Sequence, residues 1–244
     1  MKQFDVIVWS HEENPEFPTE PPFTDPALGW FFSNDINASI QESEAEWIVF
    51  AHESVRVDRT FLNDLAQAIE GYPMVDAFAP RLATDAQGTF LAGYLRNGRN
   101  GLSMIPDDAK LRFVAAPCPY IAAFSRRIVR LTGGFDRSLP TPMGVVDFSF
   151  RMLHAGGKMF SLPYLCASAN HPDESLLPTA NQNTASLLVT LFKTFGFFGT
   201  LSFMATHPGS IRPLWNNRKE INERRNSAIL LSKLKTDYIK EITC

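Results

Sequence analysis

Phe4 to Trp9 is a β-branched, apolar run with no helical period, the pattern of a strand buried on both faces. Trp47 to Ala51 repeats that pattern, and His52-Glu53-Ser54 closes it. Between the two, His11 to Pro26 holds five prolines and five acids with no Lys or Arg, which marks a loop. Asp25 before Pro26 predicts an N-cap with proline in the first turn, opening a helix through about Glu42. Asp58 caps a second helix, because Phe61, Leu62, Leu65, Ala68 and Ile69 follow at helical spacing, and Gly71 is placed to end it in a left-handed cap.

Val75 to Ala83 reads as a strand, Asp85 to Gly88 as a turn, and Thr89 to Leu95 as the returning hairpin partner. Residues 96–110 show no period. Phe113 to Phe124 is a strand interrupted by Pro117 and Pro119, after which Ser125 caps a short helix ending at Gly133-Gly134. A helix from Asp147 to Ala155, stopped by Gly156-Gly157, precedes a strand from Met159 to Ala167. Alternation of strands with helices predicts an α/β fold whose sheet is mostly parallel and flanked by helices, with ligands bound where strands end.

Ser186 to Ala205 is an apolar stretch broken by Lys193, two glycines and hydroxyls, long enough to cross a bilayer. A central lysine and paired glycines make a poor lone span, so a buried helical element is expected; peripheral membrane contact through residues 186–225, with Arg212, Arg218, Lys219, Arg224 and Arg225 as a basic flank, is the alternative. These residues divide the chain into a domain at 1–183 and a helical C-terminal extension at 184–244.

A net charge of -3, with 23 basic and 26 acidic residues, supplies no basic stripe for nucleic acid. The three cysteines, Cys118, Cys166 and Cys244, lie far apart and form no metal or redox motif, which points to free thiols in a reducing, cytoplasmic setting. The acidic turn after the first strand is unlike a secretory signal.

Several segments, in order, resemble the inverting family 2 glycosyltransferases of the GT-A fold. Asn37-Ala38-Ser39-Ile40 followed by the strand Glu46 to Ser54 is similar to the family's Asn-Ala helix and the strand ending in its metal-binding Asp-x-Asp; here the two acid positions hold His52 and Ser54. Gly133-Gly134-Phe135-Asp136 matches the family's Gly-Gly-Phe-Asp motif. Asp147-Phe148-Ser149-Phe150-Arg151 matches the segment after its Glu-Asp base motif, whose own positions fall on Gly144 and Val145. Pro163 with His171 resembles the strand end where the family places a histidine near the metal. The likeness spans roughly residues 34–171.

The resemblance implies transfer of a sugar from a nucleotide-activated donor to a glycan acceptor in polysaccharide synthesis. It implies donor contacts at Asn37, His52, Glu53 and Ser54, a divalent metal (Mn or Mg) at His52, Glu53 and His171, and Asp147 as the one acid left for a catalytic base. A mixed nitrogen and oxygen ligand set suits Mn²⁺ or Zn²⁺ better than Mg²⁺. Each residue also has a structural reading: His52 capping a strand with Glu53 in water, and Asp147 opening a helix and pairing with Arg151 four residues on. The short first half leaves no room for the helix and strand that normally carry the family's base-binding acid, and loop carboxylates there repel a diphosphate unless a cation intervenes. Two functions follow, a glycosyltransferase and a non-catalytic binding module on the same fold.

Overall fold

The computed structural model describes residues 3–12, 15–18, 20–84, 90–97, 101–105, 110–169, 177, 183–211, 219, 221–223 and 225–226. The buried runs foreseen at the start of the chain are strands β1 (Phe4–Trp9) and β3 (Trp47–His52), every residue of which is buried. Between them the expected helix from Pro26 is absent. Asp25 instead closes a turn, its carboxylate accepting from Ala27 N and its carbonyl from Leu28 N, and the chain enters strand β2 (Leu28–Phe32). The aromatic run Trp30-Phe31-Phe32 fits a pleated surface better than a helix. Only Ile36–Glu42 is helical (α1), capped by Asp35, whose side chain accepts from Ala38 N. The strand for which the first half left no room is therefore present, while no helix lies between β1 and β2 among the described residues.

Strand β4 (Val55–Arg56) leads to α2 (Arg59–Gly71), capped by Asp58 as expected. Gly71 stays helical and Tyr72 ends the helix, so the left-handed cap is not used. The single strand read over Val75 to Ala83 is two, β5 (Ala77–Phe78) and β6 (Arg81–Thr84), which belong to different sheets on either side of Pro80. The hairpin return is β7 (Phe90–Leu91), antiparallel to β6. The rest of the expected return strand, from Gly93, belongs instead to β8 (Gly93–Asn97), which pairs with β9 (Gly101–Met104) in a further hairpin reaching into the stretch that showed no period. Three short strands, β10 (Arg112–Phe113), β11 (Ala116–Pro117) and β12 (Ile121–Ser125), replace the one interrupted by prolines. The Ser125 cap of α3 (Arg126–Thr132) and its end at Gly133 stand as read, and Gly133 takes the left-handed conformation there. Helix α4 (Thr141–His154) starts six residues before Asp147, with proline in its first turn, so Asp147 lies mid-helix and not at a dipole end. Pro163 divides the last expected strand into β13 (Met159–Ser161) and β14 (Cys166–Ala169).

The main sheet runs β10-β13-β5-β12-β3-β1-β2. Strands β2, β1, β3, β5 and β13 point one way, and β12 and β10 oppose them. Two small sheets, β11-β8-β9 and β4-β14-β6-β7, lie beside it. Helix α5 (Thr184–Thr206) buries Leu187, Leu188, Leu191, Phe195 and Phe203 and packs on α4 and β9. It kinks at Gly196, where φ of 68° is open to glycine and costly for other residues. No helix among the described residues is long and apolar enough to cross a membrane.

Candidate functional site

Parallel pairing in register brings the C-terminal ends of β2, β1 and β3 to one edge: Trp9 sits beside His52 and Val8 beside Phe32. The residues leaving these strands form one hydrogen-bonded group. Asn34 accepts from Ser10 N at 2.9 Å and donates to the Glu12 carbonyl at 3.0 Å, while Ser10 Oγ donates to Glu53 Oε1. His11 stacks on His52, ring centroids 5.2 Å apart, with His11 Nδ1 3.0 Å from His52 Nε2. Trp9 and Tyr120 meet the His52 ring edge to face at 4.7 and 5.3 Å, holding an imidazole only 3% exposed in one orientation.

Two tautomers of His52 fit its contacts. In one, Ser54 N–H donates to His52 Nδ1, 3.2 Å away, and Nε2 carries the proton donated to His11 Nδ1. Ser54 Oγ lies 2.8 Å from the same Nδ1 and can accept its proton in the other tautomer, which frees Nε2 as a ligand. His11, His52 and Glu53 present one ligand atom each, all within 4.8 Å of one another. Two imidazoles and one carboxylate make a donor set for a borderline transition-metal ion better than for Mg²⁺. His52 and Glu53 were foreseen as ligands; His11 was not, and His171 lies outside the described residues.

Asp147 belongs to a second group. It is 1% exposed, and its oxygens accept from Lys193 Nζ at 2.6 Å and Arg151 Nε at 2.8 Å. Lys193, itself 4% exposed, also donates to Asp136 Oδ2 at 2.7 Å. Arg151 spends its other nitrogens on the carbonyls of Thr132 and Gly134. Burial pushes the Asp136 carboxyl up, but Lys193 and the Ser138 hydrogen bonds outweigh it and hold that carboxyl well below the usual range. Both oxygens of Asp147 are thus committed to cations, the arrangement that its pairing with Arg151 suggested.

Asn37 also serves the Gly-Gly-Phe-Asp turn: its amide donates to the Phe135 carbonyl at 3.0 Å and accepts from Phe135 N at 2.8 Å. Gly134, at φ 80°, allows this, since a Cβ there would stand 2.6 Å from Asn37 Oδ1. A cavity of about 290 Å³ lies along this turn, lined by Asn34, Asp35, Asn37, Asp136, Arg137 and Gly144 among others. It runs from the Asn34 end of the strand edge to Gly144, one of the two positions where the resemblance expects a base. Val145, the other, is wholly buried and apolar. Lys193 and Asp136 went unnoticed as partners because they are 57 residues apart; the signal was a lone lysine in an apolar helix.

No family model matches the chain, nor does any curated protein by sequence. Among solved structures it is similar to GalNAc-T7 bound to UDP, GalNAc and Mn²⁺, with a TM-score of 0.64 at 10% identity over 98% of this chain. It spans 56% of that protein's length. S. aureus TarS 1-349 in complex with UDP-GlcNAc matches with a TM-score of 0.50 at 11% identity, covering 97% of this chain and 83% of that one. Both are GT-A-fold glycosyltransferases, and the fold of this chain is GT-A-like.

Proposed function

We propose that this GT-A-like chain is a glycosyltransferase-like protein that binds a nucleotide-activated sugar at the β1–β3 edge and transfers the sugar to a glycan acceptor. The observation that carries the reading is the His11, His52 and Glu53 cluster at the carboxyl ends of parallel strands, where open α/β sheets bind ligands. A divalent ion held there would offset the charge of a departing diphosphate. His52 is oriented for that task by Trp9, Tyr120 and Ser54, and Glu53 by Ser10. Cys118 and Cys166 as free thiols agree with a cytoplasmic setting; burial pushes the Cys118 thiol up to about 12, so it is inert. Calorimetry with UDP and Mn²⁺ or Zn²⁺ tests the site. Metal-dependent binding that disappears in His11→Ala and His52→Ala is expected, and failure of the wild-type chain to bind nucleotide under any metal rejects the reading.

A second reading, a non-catalytic binding module, is favoured by one feature: among the described residues no free carboxylate takes the base position. Asp147 can serve as base only by giving up Lys193 and Arg151, whereas Gly144 opens on the cavity without a side chain. Transfer assays over a panel of nucleotide sugars separate the two. Turnover in the wild-type chain that Asp147→Asn abolishes without loss of fold supports the enzyme and its base. Nucleotide binding without turnover, with activity gained in Gly144→Asp, supports a decayed transferase.

A further inference from the structure

Strand β12 runs against β3, so its end at Ser125 pairs with Trp47 and α3 leaves the sheet at the edge opposite His52. There a cavity of about 680 Å³ opens between α1, α3 and the Gly133–Phe135 turn. Its charged lining is Arg126, Arg130 and Arg137, with Gln41 beside them and no carboxylate. Arg126 and Arg130 stand one helical turn apart on α3, and neither has an ion-pair partner among the described residues. Arg137 reaches only the exposed Asp35, at 3.4 Å. Three arginines lining one space concentrate positive charge that an anion would offset, and this clustering occurs in a chain whose acids outnumber its bases by 26 to 23. The adjoining cavity shares Arg126 and Arg130 but is lined by Glu44 and Glu46 as well, which directs an anion to the carboxylate-free side.

We propose that this groove binds a multiply charged, phosphate-bearing ligand through Arg126, Arg130 and Arg137. Planar guanidiniums match phosphate oxygens in pairs, and the volume accommodates a diphosphate with room for the group it carries. None of the residues of the His11, His52 and Glu53 cluster lines the groove, and the site does not depend on transferase activity. Arg137 also lines the cavity at Gly144, so a ligand that draws Arg137 from Asp35 acts on the turn between the two cavities.

The test is calorimetry of the full chain with inorganic pyrophosphate, alongside flotation with phosphatidylcholine vesicles with and without phosphatidic acid. Pyrophosphate binding should weaken by about tenfold or more in Arg126→Ala/Arg130→Ala, with an unchanged melting temperature, and persist in His11→Ala/His52→Ala. Flotation only with phosphatidic acid, lost in the arginine variant, without pyrophosphate binding, assigns the groove to a lipid headgroup and equally supports it. Absence of both, or binding that the arginine variant retains, overturns the proposal. Binding lost only in the histidine variant places the anion at the strand edge, which overturns the groove and leaves the transferase reading standing.

Discussion

Lys193 shows what a single side chain contributes here. An ammonium buried this deeply is tolerated because Asp136 and Asp147 both accept from it, and removing one member of a buried ion group leaves uncompensated charge, typically at a cost of about 3–5 kcal/mol. Lys193→Met should lower stability by that order, read as a shift in urea midpoint, and Lys193→Met/Asp136→Asn should recover part of the loss. The Asp147 to Arg151 pair is legible in the sequence because helical spacing alone makes it. The lysine is not, since its partners are set by how α5 docks. His52 was legible as the residue closing a buried strand, whereas His11 lies two residues beyond the end of the neighbouring strand and joins the site only through the β1–β3 register.

At the scale of elements, local chemistry was readable wherever a cap or a breaker decided it. Asp58, Ser125 and Gly133 act as their side chains or φ preferences demand. The errors arose where tertiary pairing overrode a local signal: Asp25-Pro26 has the chemistry of a helix start, yet the aromatic run that follows pairs as a third parallel strand against β1. Two glycines of similar appearance should therefore respond differently. Gly134→Ala meets both a positive φ and a contact of 2.6 Å with Asn37 Oδ1, and should cost roughly 1–3 kcal/mol while loosening the turn at Phe135. Gly144→Ala sits inside α4 with its nearest neighbour, Phe135, at 3.5 Å, and should be neutral or stabilising by up to about 1 kcal/mol. Thermal melts of the two variants compare them directly.

For the whole molecule, docking of α5 couples stability to pH. His154, on α4 beneath α5, lies tilted against Phe195 with ring centroids 6.5 Å apart, and burial, aided by the charge of Arg225 against a hydrogen bond involving the Thr194 backbone, pushes its imidazole from 6.5 down to about 4. The folded chain therefore keeps His154 neutral while the unfolded chain takes up a proton, and stability falls as pH drops from 6.5 to 4, by roughly 3 kcal/mol at the lower limit. Asp136 acts in a lower window: with its folded carboxyl depressed, its contribution is complete above the ordinary aspartate value and is lost only as pH falls below about 4. His154→Phe should flatten the urea midpoint between pH 6.5 and 4.5 relative to wild type and leave the steeper loss below pH 4 in place. A variant that keeps the wild-type slope in the upper window would place the acid sensitivity elsewhere than under α5.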